Sequence, residues 1–198
     1  MSAKRKVGVL ISGRGSNLKS LIEACADSNY PAEIVLVISN VAGAGGLAHA
    51  ASAGIPTKVI PHKTFASRDA FDAAIDAALR EAGVEIVCEA GFMRIHSEGF
   101  VRQWEGRMIN IHPSLLPAFK GTHVHEQAIA AGVKISGCTV HFVAAEVDSG
   151  PIIAQAAVPV LDGDTPETLA ARVLEEEHKL YPLALRRVIE GRVRFGAP

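Results

Sequence analysis

Two polar side chains of reactive type stand two residues apart in the stretch MINIHPSLLPAFKGTHVH, residues 108–125. Alternate residues of a strand face the same way, and Pro113 favours an extended backbone at His112, so Asn110 and His112 are expected to share one face. An Asn amide and a protonated imidazole can both donate hydrogen bonds to an oxygen that gains negative charge during acyl transfer. The pair therefore predicts acyl-transfer chemistry, although a strand-end turn former and a packed histidine would give the same spacing.

An aspartate further along the chain is the candidate third member of this site. Asp148 lies in EVDSGPII, where the Gly-Pro pair that follows predicts a loop. A carboxylate close to His112 would stabilise the protonated imidazole. The sequence does not establish that proximity, and a plain turn residue is the alternative interpretation of Asp148.

The same stretch is rich in histidine and raises the question of a metal site. His123 and His125 form an H-x-H pair that could act with His112 as ligands. Neither an HExxH motif nor a cluster of cysteines adds to them. A solvated loop is therefore preferred, and the prediction is that no metal is bound. His141, in TVHFV, is predicted to be a sheet residue that could approach the same site.

A glycine-containing turn near the N-terminus, VLISGRGSNL, predicts an anion site. Gly13 and Gly15 allow a tight turn from a strand into a helix, whose free amide groups favour a phosphate. An ordinary strand-to-helix turn is the alternative. A dinucleotide site would need a third glycine where Leu18 stands and an acid where the second strand ends in Ser39-Asn40. A small phosphorylated molecule is therefore favoured over NAD or ATP.

The elements that must position these residues alternate between apolar, β-branched runs and segments of helical period. Such alternation predicts an α/β fold with an open, doubly wound, mostly parallel sheet. From residue 107 the alternation weakens, and a long Pro/Gly/His-rich loop separates two further strands. No linker or repeat divides residues 1–198, which are therefore predicted to form one domain. The predicted strands are 6–12, 33–40, 57–61, 84–91, 107–113, 136–143 and 150–160, and the predicted helices are 16–26, 45–54, 67–83, 97–106 and 165–190.

The last of these helices has recognisable start signals. Thr165 is the expected N-cap, and Pro166 suits the first helical position. Thr168 stands where a capping box has Glu or Gln, so that box is predicted to be incomplete. Pro182, in the middle of the helix, is predicted to kink it.

Composition limits the classes of partner. Of the 198 residues, 48% are hydrophobic and 21% charged, which predicts a globular chain, and the net charge of −1 favours neither nucleic acid nor an anionic membrane. No apolar run reaches the roughly 20 residues that span a bilayer. Cys25, Cys88 and Cys138 lie far apart, which is typical of reduced thiols and predicts a cytoplasmic location.

Six segments together resemble the phosphoribosylglycinamide formyltransferase family over nearly the whole chain. In family order they are ISGRGSNL, AGFMRI, NIHPSLLPAFKGTHVHEQA, GCTVHFV, VDSGPIIAQ and EEHKLYP. The resemblance implies the formyltransferase fold, with a Rossmann-like phosphate-binding half at 1–106 and a catalytic and folate-binding half at 107–198. It implies transfer of a formyl group from 10-formyltetrahydrofolate to the amino group of glycinamide ribonucleotide in de novo purine (IMP) biosynthesis, without a metal, by a monomer or homodimer.

The resemblance also implies a role for each matching position. Asn110 and protonated His112 would stabilise a tetrahedral oxyanion, and Asp148 would support the imidazolium and help to move the amine proton. His123 to His125 would lie on a mobile lid. The substrate phosphate and ribose would be bound by Gly15, Ser16, Asn17 and Glu177. The folate would be bound by Arg68, Met93, Arg94, Ile95, His96, Ala144, Glu146 and Val147.

Three residues depart from the family pattern. His96 and Glu89 stand where the family usually has apolar residues, and Lys120 stands where a proline is common. A carboxylate at Glu89 must be paired, exposed or neutral.

Three other functions remain as alternatives. A formyltetrahydrofolate hydrolase would carry a further domain before the first strand, and a transfer-RNA formyltransferase would carry a basic C-terminal domain. A non-catalytic nucleotide-binding module would explain the glycine turn, but it would leave Asn110, His112 and Asp148 without a joint purpose.

Overall fold

Seven strands form one sheet in the order β3-β2-β1-β4-β5-β6-β7 in the computed structural model, which describes residues 3–196. Strands β1 to β5 are parallel, and β6 and β7 are antiparallel to their neighbours. The predicted open, doubly wound, mostly parallel α/β sheet is therefore confirmed. The strands are β1 (Arg5–Ile11), β2 (Ala32–Ser39), β3 (Thr57–Val59), β4 (Ile86–Glu89), β5 (Met108–His112), β6 (Ile135–Phe142) and β7 (Ile152–Pro159). The helices are α1 (Ser16–Ala26), α2 (Gly46–Ser52), α3 (Arg68–Glu81), α4 (Glu98–Gln103), α5 (Val124–Ala130) and α6 (Pro166–Ile189).

The order of the strands creates the cleft in which a site can form. The chain runs outward from β1 to β3 on one side and resumes at β4 on the other side of β1. Ligands of such sheets bind at the carboxyl ends of the strands where the order reverses. The glycine turn follows β1, and Asn110 and His112 stand at the end of β5, so both lie at this edge of the sheet.

Two apolar layers cover the two faces of the sheet. Val9 and Ile11 of β1 pack into one layer, which includes α1 and α6, whereas Leu10 packs into the other, with α3 and α4. This alternation follows from the two-residue period of a strand, and it explains why β1 is apolar on both faces. Among residues 3–196, no helix combines the length and the apolar character needed to cross a membrane.

The start of α6 corrects one sequence prediction. The Thr165 hydroxyl accepts a hydrogen bond from the Thr168 amide at 3.3 Å, and the Thr168 hydroxyl accepts one from the Thr165 amide at 2.9 Å. The capping box is therefore complete, and the prediction that it would be incomplete is wrong. A threonine hydroxyl reaches the N-cap amide here and replaces the usual Glu or Gln.

The helix α6 continues through Pro182, because its lost hydrogen bond is compensated. Pro182 has no amide hydrogen for the carbonyl of His178, four residues earlier. That carbonyl instead accepts a hydrogen bond from the Ser20 hydroxyl at 3.1 Å. The hydroxyl of Tyr30 donates to the Pro182 carbonyl at 2.7 Å, so α1 and the start of β2 hold α6 at this point.

A short helix, α5, lies where the sequence predicted only a loop. Val124 and Ala128 of α5 are buried, which fixes the segment after His123 against the body of the protein. His123 and His125 therefore stand at the start of a packed helix. Their expected place on a mobile lid stays a prediction.

Candidate active site

Strand β5 positions the two residues that the sequence singled out. Asn110 and His112 lie on the same face of β5, and His112 is only 5% exposed. The Tyr181 hydroxyl donates to the carbonyl of Glu89 at 2.7 Å and to that of Ile109 at 3.2 Å. This buried tyrosine links β4 to β5, so it helps to fix the backbone that carries Asn110 and His112.

The imidazole of His112 is oriented by a contact on each side. Its Nε2 lies 2.9 Å from the carbonyl oxygen of Phe119, and its Nδ1 lies 3.5 Å from Oδ2 of Asp148. A carbonyl can only accept, so Nε2 carries a hydrogen and donates it. Nδ1 is therefore the atom at which this imidazole gains or loses a proton, and it faces a carboxylate.

Asp148 is fixed in the loop between β6 and β7. Its backbone has φ of 53°, in the left-handed region that Asp tolerates better than most residues. The Gly121 amide donates to Oδ2 at 2.8 Å, and Lys120 donates to the Ser149 hydroxyl at 2.5 Å. The loop after β5 and the loop after β6 thus hold each other, and they bring Asp148 next to His112.

A fourth polar residue, His141, completes the group. It pairs with Asn110 across β5 and β6, and its Nε2 lies 3.3 Å from the Asn110 amide nitrogen and 3.9 Å from Asp148 Oδ1. Nδ1 of His141 donates to the Phe142 carbonyl at 2.9 Å. Burial lowers the pKa of His141, more than the Phe142 carbonyl and Asp148 raise it. A neutral ring with its hydrogen on Nδ1 accepts at Nε2, so it holds one hydrogen of the Asn110 amide.

These side chains open into a cavity of about 720 Å³ at the carboxyl ends of the strands. Its volume is in the range of small-molecule sites, and its wall combines apolar side chains with a few polar groups. Four of the predicted site residues, Gly15, Ser16, Arg68 and Glu146, do not line it. The predicted residues that do line it are Asn17, Met93, Arg94, Ile95, His96, Asn110, His112, Ala144, Val147, Asp148 and Glu177.

A smaller cavity of about 340 Å³ adjoins the glycine turn, and Ser16 lines it. Gly15 precedes α1 with φ of 72°, and a Cβ there would lie 2.5 Å from the Gly46 backbone, so only glycine fits. The amide groups at the start of α1 have no acid in the first turn to bind. Three basic side chains share this wall and suit an anion: Arg14, Lys19 and His49.

Glu177 of α6 reaches the large cavity from the side of the glycine turn. It is only 7% exposed, and burial raises its pKa to about 7, although the Asn17 side chain acts in the opposite direction. Oδ1 of Asn17 is itself buried without a hydrogen-bond partner among residues 3–196. An amide oxygen without a partner and a buried carboxyl group therefore meet in the wall of the large cavity.

Sequence reasoning undervalued two parts of this site. The sequence predicts His141 mainly as a sheet residue, and it does not indicate that the Phe119 carbonyl orients His112. The strand pattern around His141 could be recognised, but its pairing with Asn110 depends on the register of two distant strands. Within residues 3–196 no group of three or more His, Cys, Asp or Glu side chains is placed to hold a metal ion.

Comparison with known proteins places this geometry in a family. The model of the formyl transferase family matches residues 5–185. Phosphoribosylglycinamide formyltransferase of Escherichia coli is 44% identical over 187 residues, which are 94% of this chain and 88% of that protein. A crystal structure of phosphoribosylglycinamide formyltransferase from Brucella melitensis is 55% identical with a TM-score of 0.91, and the match covers 98% of this chain and 100% of that one.

Longer relatives match over a fraction of their length. The trifunctional purine biosynthetic protein adenosine-3 of Bos taurus is 58% identical over 193 residues, which are 98% of this chain but 19% of that protein. The chain thus spans about a fifth of that relative and nearly the full length of the bacterial ones. From the match over residues 5–185 and these similarities, the chain belongs to the formyl transferase family and, within it, to the phosphoribosylglycinamide formyltransferases.

Proposed function

We propose that this protein transfers the formyl group of 10-formyltetrahydrofolate to the amino group of glycinamide ribonucleotide, a step of de novo purine biosynthesis. One observation carries the proposal: Asn110, His112 and Asp148 converge on a cavity between the glycine turn and an apolar wall. An anionic ribonucleotide suits the first side and a flat heterocycle suits the second.

The large cavity fits the folate co-substrate. Its wall has apolar residues for a pteridine ring, including Ile95, Val101 and Val143, and polar groups at the exposed Arg94 and the largely buried Asp148. Bound there, 10-formyltetrahydrofolate supplies the formyl carbon that the amine attacks. Arg68 lies outside the cavity wall, so its predicted contact would involve the part of the folate that extends beyond the cavity.

Asn110 and His112 act on the formyl oxygen. One hydrogen of the Asn110 amide is held by His141, and the second is available to an oxygen in the cavity. His112 carries a hydrogen on Nδ1 when protonated, and Nδ1 is the ring nitrogen next to Asp148. Two donors that are in place before the reaction stabilise the developing negative charge without reorganisation. Each such donor typically raises kcat by about 10²- to 10³-fold.

Asp148 faces the nitrogen through which His112 donates. Its carboxylate lies 3.5 Å from Nδ1 and compensates the positive charge of an imidazolium that forms during the reaction. Because Nε2 is already committed to the Phe119 carbonyl, a proton that leaves His112 leaves from Nδ1. Asp148 and His112 thus form one path along which the proton of the attacking amine can move toward the leaving nitrogen.

The ribonucleotide is positioned from the other side. The start of α1, with Gly15 and Ser16, takes the phosphate, and Asn17 with Glu177 contacts the ribose where their polar atoms are unused. Holding both substrates face to face makes the attack effectively unimolecular, which is a large part of the expected rate.

The whole chain, residues 1–198, is proposed to act as one domain, as a monomer or homodimer in the cytoplasm. The three cysteines are free of disulfide bonds, which supports a reducing compartment.

A deformylation assay tests the proposal. The purified protein is mixed with 10-formyltetrahydrofolate, and loss of the formyl group is followed by absorbance with and without glycinamide ribonucleotide. Turnover only with the ribonucleotide is expected. Turnover without it would assign water as the acceptor and favour a hydrolase, and no turnover in either mixture by a folded, folate-binding sample would contradict both.

Replacing Glu177 with glutamine is expected to weaken ribonucleotide binding and to change the pH dependence of stability. The raised pKa of Glu177 means that the folded protein retains a proton that the unfolded chain releases above its ordinary value of 4.5. The free energy of unfolding of the wild type therefore falls as the pH rises from 4.5 to 7. The decrease is on the order of 3 kcal/mol, at about 1.4 kcal/mol per pKa unit. Glu177→Gln lacks this loss and should be the more stable protein at pH 8.

Urea unfolding at pH 4.5 and pH 8, with steady-state kinetics at pH 8, checks this prediction. The KM for the ribonucleotide should rise roughly tenfold or more, since a charged acceptor is lost. The exposed Glu175→Gln is the matched control on the same helix. An unchanged KM for Glu177→Gln would remove Glu177 from the ribose site.

A further inference from the structure

Three ionisable side chains, Asp72, His96 and Glu89, form a hydrogen-bonded cluster beside the large cavity. His96 Nδ1 lies 2.7 Å from Oδ1 of Asp72, and His96 Nε2 lies 2.9 Å from Oε1 of Glu89. The side chains of Asp72, His96 and Glu89 are only 2%, 3% and 10% exposed. His96 and Glu89 both line the cavity. None of the three has a part in the mechanism above.

His96, the central residue of this cluster, is held in place by contacts on several sides. The His96 ring stacks between Phe92 and Phe100, at centroid distances of 5.2 and 4.3 Å. Oδ2 of Asp72 accepts a hydrogen bond from the Ser97 amide at 2.6 Å, which joins α3 to the start of α4. The histidine therefore cannot turn away from either carboxylate.

The cluster of Asp72, His96 and Glu89 has two carboxyl groups for one imidazole. Burial by itself lowers the pKa of His96, but the hydrogen bonds to Asp72 and Glu89 outweigh it and raise the pKa to about 9. A protonated imidazole between two carboxylates leaves one negative charge uncompensated. Such a charge in a buried place is costly unless something completes it.

Glu89 is where that charge meets the cavity. It is the last residue of β4, and it pairs in register with Asn110 of β5, so the two side chains share a face. Oε1 is bound to His96, and Oε2 is the second acceptor oxygen of the same carboxylate. The hydrogen bond to His96 thus fixes a carboxylate that lines the cavity beside the catalytic pair.

The surroundings of Glu89 indicate what it binds. Phe92, Val101 and Val143 belong to one apolar cluster and also line the cavity, so they provide apolar walls for a ring. A reduced pteridine has such a ring, and its 2-amino group and ring N–H are adjacent donors with no charge of their own. A fixed carboxylate accepts from such donors in short, charge-assisted hydrogen bonds.

We propose that Glu89, held by His96 and Asp72, accepts hydrogen bonds from the 2-amino and ring N–H groups of the pteridine and so sets specificity for the folate co-substrate. Glu89 is then a binding residue, and His96 and Asp72 are positioning residues that act through it. The inference rests on the proposed function, because it assigns the pteridine to this end of the cavity. The amine of the ribonucleotide is the competing occupant.

Paired changes in the protein and in the ligand test the proposal. Binding of 10-formyltetrahydrofolate and of its 2-desamino analogue is measured by calorimetry for the wild type, Glu89→Gln and Glu89→Leu, and KM is measured for both substrates. Removing a hydrogen bond to a charged acceptor should weaken folate binding by about 10- to 100-fold in Glu89→Leu and less in Glu89→Gln. The KM for the ribonucleotide should stay within about twofold, as expected for a contact with one substrate only.

The analogue supplies a readout that a structural role would not move. The wild type should bind the 2-desamino compound as weakly as Glu89→Leu binds the natural folate. Glu89→Leu should bind the 2-desamino compound only a little more weakly than that, because both changes remove the same contact. This arm needs no variant to fold. Glu98→Gln, which removes an exposed carboxylate from α4 outside the cavity, is the matched control and should bind the folate normally.

The outcomes separate this proposal from the proposed function. A wild type that binds and transfers the formyl group, with Glu89 variants that bind the folate equally well, overturns the role of Glu89 alone. A rise confined to the KM for the ribonucleotide also overturns it and assigns Glu89 to the amine. A folded wild type that binds no folate overturns both.

Discussion

Replacement of His112 with alanine is expected to lower kcat by about 10³- to 10⁴-fold, because one side chain supplies both an oxyanion donor and a site for proton transfer. Its Nδ1 faces Asp148 at 3.5 Å, and its Nε2 is bound to the Phe119 carbonyl. His141 is nearby, but burial lowers its pKa and its Nδ1 hydrogen is bound to the Phe142 carbonyl. The loss should appear in kcat and in kcat/KM alike, as for an interaction made mainly in the transition state.

The same variant should remain folded. His112 contributes one hydrogen bond, to the Phe119 carbonyl, and His112 itself lines the cavity, so water can enter the space that the imidazole leaves. The free energy of unfolding should fall by about 1 kcal/mol. Thermal unfolding and calorimetric folate binding check this, with His62→Ala, a histidine outside the cavity, as the control. A variant that binds both substrates and turns over at near-normal rate would refute the assigned mechanism.

Local sequence rules accounted for the part of the site that one strand carries. Asn110 and His112 could be paired from the two-residue period of β5 and the proline that follows. The glycine turn was equally local, since Gly15 has the positive φ that its position before α1 requires. The alternation of strands and helices was enough to predict a mostly parallel sheet, because each run of apolar residues was short and each helix had a clear period.

The remainder of the site depends on contacts between distant segments. Asp148 reaches His112 only because two loops hold each other through Gly121 and Lys120, and His141 meets Asn110 only through the register of β5 and β6. No local pattern encodes either distance. The catalytic roles of these residues stay predictions, although their proximity is now a geometric fact.

Two sequence predictions failed for reasons of local chemistry. Helix α5 is seven residues long, and it begins after His123 at φ of 56° with no side-chain cap, so the N-cap signal is missing although Glu126 lies in the first turn. Thr168 completes a capping box although the pattern for such boxes names longer side chains. For Glu89 the sequence left three possibilities, a paired, an exposed or a neutral carboxylate, and the fold was needed to show that it is paired with His96.

Replacement of Asp148 with asparagine is expected to lower kcat by about 10²- to 10⁴-fold without disturbing the loop, by analogy with general acid–base and triad carboxylates. Asparagine has the same shape and tolerates the φ of 53°. Its oxygen can take the place of Oδ2, which accepts from the Gly121 amide and also lies nearest to His112 Nδ1, and its amide group then takes the place of Oδ1, near His141 Nε2. The acceptor beside Nδ1 is thus kept but its negative charge is removed, so an imidazolium that forms during the reaction is no longer compensated.

The asparagine variant thus separates charge from architecture, which an alanine would confound by straining the backbone at a positive φ and releasing Gly121. Kinetics over a range of pH should show low kcat throughout, with KM values for both substrates within about threefold of wild type, as for a loss confined to the transition state. Asp162→Asn, at an exposed position in the loop before α6, should behave as the wild type. If Asp148→Asn kept kcat within a few-fold of wild type, the carboxylate would serve only to tie its loop to Gly121, and the proton path through Nδ1 of His112 would have to be abandoned.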